Sequence, residues 1–418
     1  MGSMFSAYTT LFRTPGAMKF SIPALIGRMP ISMDSLALIF IVVAVSDSYT
    51  LAGALSAVAS IVISISTPYW SRLSDRIGQR TMLLRVIPLK IAGLTIFIAL
   101  VMNHAPIWTW FVSIIFAELT SVNVGGLVRR RWLHVLSPDK STTAEDESDK
   151  HLVNTAYSYE ALMDEVVFIV GPITATACAT SIAPAAGLIA GMILMSIGMP
   201  LFAMQRASEP LPSPVRTKDP HPPVIGIPVV QAIALSTTFT GGFFGAISIV
   251  VVGFSQSQGH KAQAGLLLGL WACGSAVMAL VNGLVKWKVS YTARFLMFLT
   301  ALTVLSIPFI FVHSIFWLAV ALFFNGFAIA PLVVNAYGVV QEVVPSEQIT
   351  ESFTWVVAGM PLGGALSSAL GGWVIDRYGA QTAFWVPLGF MCAALLATLP
   401  FFRVYKGLIH YSLNRDRA

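Results

Sequence analysis

Charge is scarce in this sequence. Asp, Glu, Lys and Arg make up 11% of its 418 residues, where soluble domains carry about 25%. Cysteine is almost missing: Cys178, Cys273 and Cys392 have neither pair spacing nor metal-ligand spacing. No disulfide framework, metal site or cofactor is therefore expected. The seven histidines, at positions 104, 134, 151, 221, 260, 313 and 410, fall outside the predicted spans, which removes imidazole as an intramembrane proton carrier. Catalytic signatures are absent too. The chain contains no Gly-x-Ser-x-Gly elbow, no Gly-x-x-x-x-Gly-Lys phosphate loop and no His-Glu-x-x-His pair, so an enzyme is not expected.

What is abundant is apolar length. Hydrophobic residues are 56% of the chain, and mean hydropathy is +0.78. Apolar runs of about 18 residues or more recur along it, each long enough to cross a bilayer. The fold class expected is an all-α membrane protein with twelve transmembrane helices. No cleavable signal peptide is expected, because no short apolar core with a small-residue cleavage site precedes the first span.

Runs and breakers place the spans at about 17–45, 49–69, 81–102, 107–128, 153–180, 184–205, 225–252, 263–285, 291–311, 314–338, 349–375 and 380–402. A polar, proline-rich stretch, "RASEPLPSPVRTKDPHPP", divides them and has the composition of a linker. The expected organisation is a six-helix bundle over 1–205, a cytoplasmic linker over 206–224, and a second six-helix bundle with a short tail over 225–418.

Orientation follows from the bases in the connections. With both termini inside, twenty-one of the 25 Lys and Arg lie on the inner side and two, Lys261 and Arg377, on the outer. The remaining pair, Arg28 and Lys90, sits within spans. The net charge of +6 is then an insertion signal, and no nucleic-acid partner is inferred from it.

The acids inside spans are more informative. "YEALMDEVVFIVGP" over 159–172 puts Glu160, Asp164 and Glu165 into an oily stretch. At 1.5 Å per residue from an inner start near residue 153, Glu160 is about 10 Å deep and the other two about 16 to 18 Å. A charge facing lipid there costs about 2.5–3.5 kcal/mol or more, so these groups need a wet cavity, a basic partner or a proton. Glu160 and Asp164 share a helix face at i, i+4 spacing, whereas Glu165 points about 100° away. Arg28 and Asp34 straddle the middle of the first span, Lys90 is in the third and Glu118 in the fourth. Burial raises a carboxylate's pKa and a nearby Arg lowers it, so such a cluster can exchange protons near neutral pH or serve as a static salt-bridge network. The second half has no Asp, Glu, Lys or Arg in mid-span. Its polar groups there include Asn325 and Asn335, among aromatics such as Phe243, Trp271 and Trp355.

The connection "SRLSDRIGQR" over 71–80 resembles the signature of the major facilitator superfamily between its second and third spans. Leu73, Asp75, Arg76, Gly78 and Arg80 match, while Ser71 replaces a glycine and Gln79 a basic position. In that family the loop is a conformational latch, which assigns the role to Asp75, Arg76, Gly78 and Arg80. A carboxylate at Asp75 suits a helix N-terminus, and Gly78 permits a tight turn. "GPITATACAT" partly resembles the fifth-span signature of facilitator-family antiporters. Gly171 and Pro172 match, but Ala175 and Thr176 stand where two glycines belong and Val167 replaces an upstream glycine. Small residues there also suit close helix packing.

The resemblance implies a secondary transporter in which two bundles give alternating access. The expected function is proton-coupled antiport, exporting a small organic or amphipathic solute; a proton-coupled importer or a sugar or amino-acid exporter is the alternative. Asp34, Glu118 and Asp164, with Glu160 and Glu165 behind them, are the proton-coupling candidates. Arg28, Phe243, Trp271, Asn325, Asn335 and Trp355 are the candidates for substrate or charge-partner contact. The expected partners are a small-molecule substrate, protons and the lipid bilayer, the expected oligomeric state is a monomer, and the expected location is a bacterial inner membrane. A channel is disfavoured by the one-sided charge distribution.

Overall fold

The computed structural model describes residues 9–136, 147–212, 226–285, 287–344, 349–401 and 406. Most of the expected linker, from position 213 onward, therefore lies outside the described residues. Among those residues all regular structure is helical. Ten helical stretches are long and apolar enough to cross a membrane, from Ala17–Ser46 to Thr382–Phe401.

The first span is broken. Helix α1 (Ala17–Arg28) stops at Met29, and α2 (Pro30–Ser46) restarts on a proline that has no N–H to donate. Next come α3 (Tyr49–Ile77) and α4 (Gln79–Met102). The expected fourth span over 107–128 is two helices, α5 (Ile107–Glu118) and α6 (Val124–Leu136). Side chains end the first of them. Thr120 Oγ1 donates to Ala117 O at 2.6 Å and Ser121 Oγ donates to the Glu118 carboxylate at 2.5 Å, local bonds that compete with continued helix. Asn123 Oδ1 then accepts from the Gly126 amide at 3.0 Å and starts α6. Helices α7 (Glu147–Ser181) and α8 (Ala186–Ala203) complete this half.

The second half runs α9 (Pro228–Ser257), α10 (Ala264–Leu284), α11 (Tyr291–Ser306), α12 (Ile315–Gly326), α13 (Ile329–Val343), α14 (Ile349–Ala358), α15 (Met360–Tyr378) and α16 (Trp385–Leu396). Short breaks at 327–328 and 359 divide the tenth and eleventh predicted spans.

By packing, the chain forms two compact units. One takes Met1–Ala37 and Ile65–Thr217, the other Leu38–Ser64 and Lys218–Ala418. Residues 38–64, from the first two spans, thus pack with the second half of the sequence. In the first unit, α1 and α8 meet so closely that a Cβ on Gly198 would overlap the Gly27 amide. Around that crossing Phe20, Trp132, Met199 and Phe202 form a dry core. In the second unit α9 and α15 make a similarly close crossing. A Cβ on Gly363 would overlap the Thr238 carbonyl, the small-residue contact that helices use where lipid gives no hydrophobic drive to associate.

Candidate functional site

The acids of 159–172 find their partners inside the first unit. Arg28, at the end of α1, is buried, and its Nη1 reaches Glu160 Oε2 at 2.7 Å and Asp164 Oδ1 at 3.2 Å. One guanidinium thus serves both carboxylates because i, i+4 spacing stacks them on one face of α7. Trp132 Nε1 donates to the other Glu160 oxygen at 2.7 Å, and Arg129 Nη2 reaches Asp164 Oδ2 at 2.7 Å. Glu160 is fully enclosed, while Asp164 and Arg129 are half-exposed. Glu165 is half-buried on a neighbouring bearing of the helix.

A second pair lies between α4 and α5. Lys90 Nζ reaches Glu118 Oε2 at 2.5 Å and Ser121 Oγ at 3.0 Å, with both charged groups buried. The break after α5 is tied down by α3, where Ser66 Oγ donates to Glu118 O at 3.0 Å and Trp70 Nε1 to Leu119 O at 2.6 Å.

Asp34 differs from these acids. It is half-buried on α2, and its Oδ1 is enclosed with no hydrogen-bond partner among the described residues. Gly191 of α8 lies against that oxygen, and a Cβ there would come within 3.1 Å of it. Two residues back, Ser32 Oγ donates to Val167 O at 2.7 Å. Gly171 allows this approach, since a Cβ at that position would overlap the Ser32 hydroxyl. The Gly171-Pro172 motif therefore sits where α7 crosses the helix that carries Asp34.

The loop over 71–80 is arranged differently from its sequence expectation. Asp75 pairs with Arg130 in the last turn of α3, and the N-terminus of α4 is taken by Glu209, whose Oε1 accepts from the Arg80 amide at 2.8 Å. Gly78 has φ of 85°, a left-handed-side conformation that suits glycine. Its place against the Glu209 carboxylate leaves a Cβ only 3.0 Å from that oxygen. Arg76 is exposed.

In the second unit three of the candidates, Phe243, Trp271 and Asn325, form a neutral cluster. Trp271 Nε1 donates to Asn325 Oδ1 at 2.9 Å, and Asn325 Nδ2 donates to Ser306 Oγ at 3.1 Å. Phe243 and Phe244 pack on the Trp271 ring at 5.8 and 5.7 Å between centroids. Asn335 donates to Pro331 O at 2.7 Å and keeps a buried Oδ1 with no partner among the described residues, while Trp355 is exposed. No hydrogen bond or ring contact among the described residues joins Asn335 or Trp355 to the Trp271 cluster.

Four groups escaped the sequence reading. Arg129, Arg130 and Arg131 count there as bases of an inner connection. They lie on α6, where 100° per residue sends them to three sets of partners. Arg131 is fully buried; it donates to Gln79 Oε1 at 2.8 Å and Phe202 O at 2.8 Å and covers the Phe202 ring at 3.8 Å. Glu209 is the fourth. The available signal was the apolar spacing of Leu127, Val128, Trp132 and Leu136, which continues helical periodicity past the predicted end of the span.

Several solved structures share this architecture. A mutant form of the nucleoside transporter NupG superposes with a TM-score of 0.71 over 92% of this chain and 99% of that one, at 11% identity. A bacterial homologue of the iron transporter ferroportin, in its inward-facing state, gives 0.66 over 92% and 98%, at 12% identity. The chain has the major facilitator fold. The human organic anion transporter MFSD10 (TETRAN) shares it with a TM-score of 0.61, at 13% identity over 92% of this chain and 99% of that chain. Residues 233–415 also match the Major Facilitator Superfamily family model. That match falls on the half without mid-span charge, whereas the loop over 71–80 that resembles the family signature is in the other. No curated protein matches the chain by sequence. Within the major facilitator fold, then, the first unit supplies ionisable groups and the second supplies aromatic and amide groups.

Proposed function

We propose that this chain is a proton-coupled secondary transporter working by alternating access, with two six-helix bundles joined by the inner segment over 206–224 and both termini inside. Antiport of a small organic or amphipathic solute is the reading favoured. The observation that carries it is the contrast among the buried acids. Glu118 and Glu160 each have a short ion pair, whereas Asp34 has an enclosed oxygen with no partner. A carboxylate so placed is costly to ionise and accepts a proton readily. Release of that proton requires only a change in its surroundings, such as a wetter or more basic setting in the other state. Asp34 is thus the leading coupling group and Asp164 the second, because it is half-exposed between two arginines. Glu118 and Glu160 hold helices together. The Phe243, Phe244 and Trp271 rings suit a solute with an aromatic or amphipathic face.

The test uses full-length protein in liposomes. A thermal-stabilisation screen over amines, sugars, amino acids, nucleosides and dyes first identifies a solute. Asp34→Asn keeps size but carries no proton. It should bind that solute with weakened pH dependence and lose accumulation driven by a pH gradient. Accumulation equal to wild type in Asp34→Asn would remove Asp34 from coupling, and the same result in Asp164→Asn as well would end the proton-coupled reading. A cysteine placed at position 214 should react with impermeant maleimide only from the inside; labelling from outside intact cells would invert the topology.

A further inference from the structure

The turn Asp75-Arg76-Ile77-Gly78 has a second copy in this chain, Asp376-Arg377-Tyr378-Gly379. The likeness extends to the backbone. Gly78 has φ 85° and ψ 151°, and Gly379 has φ 86° and ψ 161°. Each glycine amide closes the preceding helix, Gly78 onto Ser74 O at 3.0 Å and Gly379 onto Ile375 O at 2.9 Å. Both turns therefore hold an aspartate in the last turn of a helix, α3 in one case and α15 in the other.

The two aspartates are engaged differently. Asp75 has an arginine as its partner. Asp376 caps the start of α3: it accepts from the Tyr49 amide at 3.0 Å, the Thr50 amide at 2.7 Å and Ser48 Oγ at 2.9 Å. A carboxylate on the open N–H groups of a helix start gains from charge-assisted bonds and from the helix dipole together. The backbones around this contact are built for it. A Cβ on Gly372 would overlap the Tyr49 carbonyl, and one on Gly53 would overlap the Ser368 carbonyl. Tyr49 Oη adds a bond to Gln256 Oε1 at 2.8 Å. All of these residues lie within one compact unit.

We propose that Asp376 is a second latch, matched in sequence and turn geometry to the one at Asp75, which pins the start of the second span to the end of the eleventh and must release once per transport cycle. The carboxylate and the helix start form an ion-dipole clasp, and the glycine pair lets the two helices close on it backbone to backbone. This inference rests on the alternating-access reading, because only a contact that opens in another state is a latch. Neutralising Asp376 removes the charge and leaves a similar shape. Adding a methyl group at Gly372 leaves the charge and wedges the backbones apart. Both changes should open the same end of α3 by independent routes.

The experiment follows a reporter cysteine at Ser56, a small buried residue one turn beyond Gly53 on α3. Cys178, Cys273 and Cys392 are first replaced by alanine in the full chain. Labelling by impermeant maleimide is then timed in liposomes. Losing several hydrogen bonds to a charged acceptor shifts a two-state population by about tenfold or more. Asp376→Asn and Gly372→Ala should therefore each raise the Ser56→Cys labelling rate by about that factor, and Ser48→Ala by about two- to threefold. Unchanged thermal unfolding in Asp376→Asn would separate opening from unfolding. Labelling at the wild-type rate in both Asp376→Asn and Gly372→Ala overturns the latch. If Asp75→Asn alters labelling while those two variants do not, the chain still alternates and only the Asp376 inference fails. Labelling that ignores all of these substitutions overturns the latch and weakens the alternating-access reading together.

Discussion

The two units bury polarity in different ways. In the first, Arg28 with Glu160 and Lys90 with Glu118 are full charges enclosed at 2.7 and 2.5 Å. In the second, Trp271, Asn325 and Ser306 are linked by neutral bonds of 2.9 and 3.1 Å. A buried ion pair is little help to net stability, because desolvating two charges offsets most of their attraction, but it punishes the loss of either partner. A neutral cluster asks less and loses less. The charged unit therefore gains dependence on protonation and on partner geometry, while the amide-aromatic unit gains a surface indifferent to pH. The proposed coupling of protons to solute needs both, and here they are separated.

Breaking one member on each side tests that contrast, and the largest effect belongs to the charged unit. Lys90→Ala strands Glu118 and should cost about 3–5 kcal/mol, read as a fall in thermal unfolding in detergent. Replacing the pair together, Lys90→Met with Glu118→Leu, should return stability to near wild type. In the same assay Asn325→Ala should cost about 1–3 kcal/mol, for a neutral donor and acceptor left unmatched. Equal losses on the two sides would erase the distinction.

The smallest effect concerns pH. Burial works to raise the pKa of Asp376, but the Thr50, Tyr49 and Ser48 hydrogen bonds outweigh it and hold the carboxyl below its ordinary value. A depressed value means the clasp's contribution is complete above the unfolded-state pKa of about 3.9 and is lost only as pH falls through the lower folded value. Asp47 lies close enough to act on both Tyr49 and Lys261, and Arg377 follows Asp376 in the chain. Reporter labelling at Ser56→Cys, divided at each pH by the rate of a free thiol because maleimide reacts with the thiolate, should accordingly stay flat from pH 8 to pH 5, whereas solute binding that depends on Asp34 should not. A normalised rate that climbs as pH drops through that range would make the latch a proton sensor and merge the two roles.

Run length and spacing carried most of the fold. Spans long enough for a bilayer were legible because lipid leaves a helix no choice but to satisfy its own backbone, and Glu160 with Asp164 was legible as one face because i, i+4 spacing requires it. Three things were not. The break after Glu118 depends on Thr120, Ser121 and Asn123 side chains turning back on the backbone, a local competition that hydropathy does not register. The partners of the acids depend on which helices are neighbours, so nothing in the residues around Lys90 names Glu118. The Asp376 cap joins positions more than 300 residues apart, and its sequence signal, the repeated Asp-Arg-x-Gly, is visible only once the second copy's geometry gives a reason to look for it.

The run Arg129-Arg130-Arg131 also has a consequence for how the chain is made. On the proposed topology these three bases belong, during synthesis, to the inner-side charge that orients the first spans, and at that stage any cation would serve. After folding, Arg129 is bonded to Asp164, Arg130 to Asp75, and Arg131 to Gln79 and the end of α8. The same three charges are thus read twice, first as a quantity and then as individuals. Lysine at all three positions would satisfy the first reading and fail the second, giving a protein that enters the membrane the right way round and does not finish packing.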